Sequence, residues 1–145
     1  MKILIVGLGL IGGSYCKAIS SYTNHEVYGL DSNPDVIESA VKCGCIKSGS
    51  DITELDRFDM VIVCLHPVPA KKFMTENIKR FKKGCILSDV CGIKGQMTVD
   101  VTKIAAEHGV NYVGTHPMAG KEHFGFDFSE NFIYRCKLYL HRLGN

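Results

Sequence analysis

The sequence lacks the features of a nucleic-acid-binding, membrane or secreted protein. Its 145 residues carry a formal net charge of only +2, with no low-complexity tract and no internal repeat. Its apolar runs are far shorter than the roughly 20 residues that a membrane-spanning helix needs. The N-terminus, MKILIVGLG, breaks its apolar run at glycines, which indicates a buried strand rather than a secretory signal. We therefore expect one cytoplasmic domain that binds neither nucleic acid nor membrane.

The cysteines also lack the spacing of a metal site. There are seven of them, an odd number, and no two form a CxxC pair. We therefore predict no zinc or other metal centre. Cys64 and Cys85 lie inside apolar runs, where a free thiol acts as a small hydrophobic side chain. This usage fits a reducing compartment.

Short apolar runs alternate with helical patterns along the chain. This order predicts a doubly wound α/β domain, with a mostly parallel sheet and helices on both faces. The predicted strands are residues 2–6, 26–30, 45–46, 60–65, 85–90 and 111–114. The predicted helices are residues 11–22, 33–44, 69–81 and 94–108. We expect a single dinucleotide-binding domain over 1–145, whose pattern weakens from about residue 132, where 132–143 could form a last strand.

The segment GLGLIG, residues 7–12, fits the GxGxxG fingerprint and lies between a predicted strand and a predicted helix. The first glycine allows a tight turn, the second lets a pyrophosphate approach the backbone, and the third lets the helix pack on the strand. The predicted cofactor contacts in this loop are Gly7, Leu8, Gly9, Leu10, Ile11 and Gly12. A glycine-rich turn that binds no dinucleotide is the alternative.

Asp31 ends the second predicted strand, 19 positions after Gly12. A carboxylate there binds the ribose 2′-hydroxyl of NAD and repels the 2′-phosphate of NADP. Ser32 and Asn33 follow it, and neither is an arginine that could receive such a phosphate. We therefore predict that Asp31 and Ser32 contact the cofactor and that NAD is favoured over NADP.

Ligands of doubly wound sheets bind beyond the C-terminal ends of the strands. Three further segments follow strands at that edge: LHPVP, DVCGIK and THPMAGKE. The predicted cofactor contacts in the first two are Leu65, His66, Pro67, Asp89 and Gly92. For His66 we favour the interpretation that it lines the cofactor groove without a chemical role. His116 is the stronger candidate for chemistry, because Lys121, Glu122 and two glycines share its segment.

Together, ILIVGLGLIGGS, Asp31, SDVCGIK and GTHPMAGKEHFGF resemble the prephenate dehydrogenase family, which includes arogenate dehydrogenases. The resemblance covers residues 1–130 and implies the family's nucleotide-binding domain. It implies oxidative decarboxylation of prephenate to 4-hydroxyphenylpyruvate, on the route to tyrosine. It also implies that His116 takes the proton of the ring hydroxyl while hydride leaves for the nicotinamide. Glu122 matches an acid that orients or gates at the mouth of the site; a solvated surface carboxylate is the alternative.

The sequence departs from the family pattern at three points. Gly92 stands where the family commonly has a serine, so either water or Cys91 replaces that hydroxyl, or His116 works with less help. Phe124 stands where a small polar residue is common. The family's C-terminal helical domain, which supplies dimer contacts and substrate-binding arginines, is absent from these residues. We therefore expect little or no turnover, and a homodimer only if such a domain is present.

Three hypotheses remain at this point. The first is the nucleotide-binding domain of a prephenate or arogenate dehydrogenase, with the choice between these two substrates open. The second is a dehydrogenase for β-hydroxy acids or imino acids, against which the HPMAG segment argues. The third is a non-catalytic NAD-binding module that senses redox state or binds a partner. His116 and Glu122 weigh against this third hypothesis, because a sensor needs no proton acceptor.

Overall fold

The structure, a computed structural model, describes residues 1–118, 125–130 and 133, together with the backbone of 138–141. The strands are β1 (Lys2–Val6), β2 (Glu26–Leu30), β3 (Met60–Val63), β4 (Ile86–Asp89), β5 (Asn111–Pro117) and β6 (Leu138–His141). The helices are α1 (Leu10–Tyr22), α2 (Pro34–Lys42), α3 (Pro67–Asn77) and α4 (Gly95–Glu107). Short 3-10 helices lie at Ile52–Arg57, Ile78–Arg80 and Phe126–Phe128. None of the helices in these residues is both long and apolar enough to cross a membrane.

The six strands form one sheet in the order β2-β1-β3-β4-β5-β6. The first five are parallel, and β6 runs antiparallel to β5. The strand order reverses between β1 and β3, which is the point where doubly wound sheets open a crevice for ligands. The glycine loop leaves β1 at this point.

Helices cover both faces of the sheet. Successive residues of β1 point to opposite faces, so Leu4 and Val6 pack in one core while Ile3 and Ile5 pack in the other. The first core includes buried residues of α3 and α4, and the second includes buried residues of α1 and α2. These two cores confirm the predicted doubly wound α/β fold.

The structure corrects two of the predicted strands, and strand pairing explains both corrections. No strand forms at residues 45–46; instead, residues 47–50 run beside β2 and make a single bridge between Gly49 and Gly29. The strand predicted to end at Gly114 continues to Pro117, because β6 pairs with its last four residues. His116 therefore lies within a strand rather than on a loop. The predicted last strand within 132–143 is present as β6.

Candidate active site

The glycine loop between β1 and α1 is shaped by close backbone contacts. Gly7 has a φ of +85°, and a Cβ atom there would lie 2.7 Å from Leu65 Cδ2. A Cβ atom on Gly12 would lie 1.8 Å from the carbonyl oxygen of Gly7, so only glycine lets α1 pack this closely. The Gly7 N–H donates to the carbonyl oxygen of Leu30 at 2.8 Å. The loop therefore leaves the sheet in a fixed conformation.

The start of α1 has space and donors for a phosphate. Gly9 is the N-cap residue, its position provides no side-chain hydrogen bond, and the first turn of α1 has no acidic residue. A Cβ atom built on Gly9 meets no other atom within 4 Å. The first N–H groups of a helix have no partner within the helix, and they favour negative charge. The residues at this loop therefore fit a pyrophosphate.

Asp31 joins the end of β2 to the glycine loop. Its Oδ2 accepts a hydrogen bond from the Leu8 N–H at 2.7 Å, and its Oδ1 accepts one from the Asn33 N–H at 2.9 Å. A carboxylate has roughly four lone-pair sites, so both oxygens can still accept ribose hydroxyls. The sequence pattern predicted the ribose contact but missed the bond that holds the loop.

A pocket of about 420 Å³ opens beside Asp31 and Ser32. Asp51 and Glu54 also line it, so three carboxyl groups surround one opening. The hydroxyl of Thr53 donates to Asp51 at 2.5 Å and lowers the pKa of this carboxyl group, which keeps it ionised. Sequence analysis missed Asp51 and Glu54, because they come close to Asp31 only through the fold.

The segment after β3 lies next to the glycine loop. Leu65 contacts the position of Gly7, whereas His66 and Pro67 are exposed at the start of α3. His66 is the N-cap residue of α3 and makes no side-chain capping bond. These three residues lie at the carboxyl edge of the sheet, and their contact with a cofactor remains a prediction.

A buried ion pair lies beneath the β4–α4 loop. Asp89 has 0% exposed surface; its Oδ1 accepts hydrogen bonds from Lys94 Nζ at 2.6 Å and from the Cys91 N–H at 2.8 Å. The Tyr112 hydroxyl donates to Asp89 Oδ2 at 2.6 Å, and Lys94 Nζ also donates to the Thr115 carbonyl oxygen at 2.7 Å. Burial, and then the bond to Asp89, raise the pKa of Tyr112. Asp89 has no exposed surface in the described structure, and its contact with the cofactor remains a prediction.

This network links β4, α4 and the strand that carries His116. Lys94 holds the carbonyl of Thr115, the residue directly before His116. Sequence analysis did not single out Lys94 as a functional residue. Its position at the start of a helix was a signal for such a role. Lys94 is the N-cap residue of α4, where a positive charge is unfavourable next to the helix dipole. Its ammonium group is therefore more stable when it lies away from the helix terminus.

His116 and Gly92 face each other across the site. A Cβ atom on Gly92 would lie 3.1 Å from both Cε1 and Nε2 of His116. The imidazole is partly exposed, and its residue pairs with Tyr139 of β6 in the strand register. The structure therefore brings together the β4–α4 loop and the candidate base, as the resemblance implied.

Cys91 does not replace the hydroxyl of the family's serine. It is 5% exposed and belongs to the core on the α3 and α4 side, with its Sγ 3.5 Å from the carbonyl oxygen of Leu65. Burial raises the pKa of Cys91 to about 12, so the thiol stays neutral. The remaining alternatives are a water molecule and a histidine that works with less help.

Three other residues singled out from the sequence are Lys121, Glu122 and Phe124, and all lie outside the described residues. The assignment of Glu122 to the mouth of the site therefore remains a prediction.

Fold and loop geometry define the class of this protein as a nucleotide-binding domain of the Rossmann type. The chain belongs to the prephenate dehydrogenase family, since the family model described as prephenate dehydrogenase, nucleotide-binding domain, matches residues 16–140. This membership confirms the resemblance noted from the sequence motifs.

Individual relatives agree with this assignment. The chain is 29% identical to a prephenate dehydrogenase of Bacillus subtilis over 143 residues, which is 95% of this chain and 38% of that protein. It is 29% identical over 140 residues to a cyclohexadienyl dehydrogenase of Zymomonas mobilis, covering 90% of this chain and 45% of the relative. The crystal structure of a prephenate dehydrogenase from A. aeolicus, in complex with hydroxyphenyl propionate and NAD+, superposes with a TM-score of 0.87 at 28% identity. That match covers 99% of this chain and 51% of the other, so the chain spans about half or less of these relatives.

Proposed function

We propose that this chain is the cofactor-binding part of a cytoplasmic, NAD-dependent prephenate dehydrogenase of tyrosine biosynthesis. The reaction converts prephenate and NAD+ to 4-hydroxyphenylpyruvate, carbon dioxide and NADH. The observation that carries the proposal is that an open glycine loop and His116 lie at the same edge of one sheet. The family membership and the A. aeolicus structure with NAD+ support it.

Several residues would hold the dinucleotide. The N–H groups at the start of α1 would bind the pyrophosphate, and Asp31 would accept hydrogen bonds from the adenosine ribose. Leu65 and the exposed His66 and Pro67 would border the other half of the molecule. Each of these contacts uses a group that the described structure leaves accessible or able to accept a further bond.

The carboxyl groups near the ribose site favour NAD over NADP. Asp31, Asp51 and Glu54 line a single pocket, and none of them can donate a hydrogen bond to a phosphate when ionised. The added 2′-phosphate of NADP would bring negative charge close to all three. Discrimination therefore rests on more than Asp31.

His116 is the proposed general base. Imidazole groups commonly act as general bases near neutral pH, and base catalysis of this type contributes about 10²- to 10⁴-fold to the rate. A nicotinamide bound at this edge of the sheet would supply the acceptor for the hydride of the ring carbon that bears the hydroxyl. Lys94 and Asp89 hold the strand before His116, which fixes where its imidazole meets that hydroxyl. Loss of carbon dioxide then makes the ring aromatic.

Cofactor binding is tested by calorimetric titration of NAD and NADP into the purified chain. We expect NAD to bind, and we expect Asp31→Asn to weaken it by about ten- to a hundred-fold, the usual range for a lost hydrogen bond to a charged group. Glu38→Gln, at an exposed position of α2, is the matched control and should bind NAD normally. No heat at millimolar NAD would refute the proposal.

Substrate and base are tested by following NADH fluorescence with prephenate and with arogenate, which detects slow turnover. We expect prephenate to react faster than arogenate and His116→Asn to remove the signal while NAD still binds. A faster reaction with arogenate would make arogenate the proposed substrate in place of prephenate. Both compounds are candidates because their rings carry the same reacting hydroxyl. Turnover that His116→Asn leaves unchanged would refute the assignment of His116 as the base.

A further inference from the structure

The turn that ends α2 brings two cysteines together. Gly44 has a φ of +74°, its N–H donates to the Val41 carbonyl at 2.9 Å, and the Cys45 N–H donates to the Ala40 carbonyl at 3.2 Å. This is the paired hydrogen bonding of a Schellman turn, which reverses the chain at a left-handed residue. As a result, the sulfur atoms of Cys43 and Cys45 are 3.1 Å apart. The predictions from cysteine spacing considered only CxxC pairs, so they missed this CGC segment.

A third thiol and a cation complete the cluster. Cys16 of α1 is buried and interacts with the Cys45 thiol, and Lys17 follows it. Hydrogen bonds from Cys16 and Cys43, together with the charge of Lys17, lower the pKa of Cys45 to about 6 against the opposing effect of burial. Burial, and then the hydrogen bond to Cys45, raise the pKa of Cys43. Within this cluster Cys45 therefore ionises more readily than Cys43.

A small molecule can reach these sulfurs. A pocket of about 350 Å³ opens at the cluster and is lined by Lys17, Ser20, Ser21, Cys43, Cys45, Ser129 and Glu130. Cys43 is exposed, whereas Cys45 is only 3% exposed. This access suits a reagent of the size of a peroxide better than a protein thiol. The residues that the structure describes include no group of histidines, cysteines and carboxylates arranged to hold a metal ion.

Three described cysteines outside this cluster differ from Cys45 in the direction of their pKa shift. Cys85 and Cys91 are buried, and burial raises their pKa to about 11 and about 12. Burial raises the pKa of Cys64 as well. Reactivity toward oxidants follows thiolate character and access, so these three thiols provide a comparison within the same molecule.

We propose that Cys45 and Cys43 are a redox-reactive dithiol that reduces hydrogen peroxide and forms a disulfide within the CGC segment. The Cys45 thiolate attacks one peroxide oxygen; an S–O bond forms, the O–O bond breaks, and the leaving hydroxide takes up a proton to become water. The Cys43 sulfur then attacks the sulfenic sulfur of Cys45, which forms the S–S bond and releases a second water. Two thiols are oxidised and one peroxide is reduced, and a cellular thiol can reverse the step.

Trypsin mapping tests this proposal directly, because cleavage after Lys42 and Lys47 isolates both cysteines on the peptide CGCIK. The folded chain is treated with hydrogen peroxide, free thiols are blocked with N-ethylmaleimide, and the digest is analysed by mass spectrometry. We expect CGCIK to lose two hydrogen atoms and escape blocking, at least about ten-fold faster than the peptide 84–94, which carries Cys85 and Cys91. Equal rates for the two peptides would overturn the proposal.

A variant separates the two roles. With Cys43→Ser the sulfenic acid has lost its partner, so dimedone should label Cys45. Cys43 is exposed, so the variant should fold, which circular dichroism checks. Label absent from Cys45 would overturn its assignment as the attacking thiol. In the unmodified chain, a disulfide linking CGCIK to the peptide 3–17 would instead make Cys16 the partner and overturn the role of Cys43.

Discussion

Gly92 has no side chain, and the imidazole of His116 lies close to the position that a Cβ atom of residue 92 would take. A Cβ atom there would be 3.1 Å from two ring atoms, which is closer than nearly all Cβ contacts in proteins. The ring therefore rests against the β4–α4 loop and uses the space that the missing side chain leaves. Position 92 thus controls where the candidate base sits.

Gly92→Ser and Gly92→Ala should both displace the His116 ring by a few tenths of an ångström, because each adds the same Cβ atom. Only serine adds a hydroxyl that can hydrogen-bond to a ring nitrogen. Nitrogen NMR of the imidazoles should therefore show a change with serine beyond the change with alanine. His66 and His25, both exposed, are controls within each spectrum. His116 signals that match those of the unmodified chain in both variants would contradict the contact.

Gly9→Ala and Gly12→Ala should separate binding from folding. A methyl group at residue 12 meets the Gly7 carbonyl at 1.8 Å, so we expect a loss of at least about 3 kcal/mol in the free energy of unfolding. A methyl group at residue 9 enters open space, so stability should change by less than about 1 kcal/mol. It would, however, fill the space proposed for the phosphates. Urea unfolding and NAD calorimetry measure the two effects, and unchanged NAD binding by Gly9→Ala would count against the phosphate site.

Lys94→Met should strongly destabilise the chain, because it leaves the Asp89 carboxylate buried without its cation. Breaking one partner of a buried pair costs about 3–5 kcal/mol. Lys42→Met is the matched control, since the Lys42–Glu38 pair has side chains 73% and 64% exposed and should contribute less than about 1 kcal/mol. Adding Asp89→Asn to Lys94→Met should recover part of the loss in urea unfolding. Equal stability of the two lysine variants would show that the buried pair is not stabilising.

Low pH should destabilise the end of the sheet that lies opposite the candidate active site. The Lys82 ammonium, and then the Lys2 N–H, hold the pKa of Asp59 below its ordinary value. A lowered carboxyl pKa stabilises the fold above the unfolded-state pKa, and this stabilisation is lost as pH falls through the folded-state value. The melting temperature of the unmodified chain should therefore fall below about pH 4, and Asp59→Asn should reduce that fall. A fall of the same size in the Asp59→Asn variant would contradict this role of Asp59.

Local patterns in the sequence predicted the parallel sheet, the four helices and the glycine loop. Each depends on residues close in the chain: apolar runs for strands, helical spacing for helices, and Gly7 to Gly12 for the turn. What the sequence missed depends on distant residues. The predicted strand ended before His116, because the partner of its last residues, β6, follows more than 20 residues later in the chain. The hydrogen bond from Lys94 to the Thr115 carbonyl and the shared pocket of Asp31 and Asp51 likewise join residues about 20 positions apart.

The contacts that hold the glycine loop are made between atoms of the protein itself. The Gly7 N–H donates a hydrogen bond to the Leu30 carbonyl, and the Leu8 N–H donates one to the Asp31 carboxylate. Gly12 packs against the Gly7 carbonyl. A loop that was free to move would lose conformational entropy on binding, at roughly 1–2 kcal/mol for each residue fixed. Here that loss has already occurred during folding. A dinucleotide would therefore meet a preorganised surface, and amide hydrogen exchange at Gly7 and Leu8, whose N–H groups are hydrogen-bonded within the protein, should already be slow before the cofactor arrives.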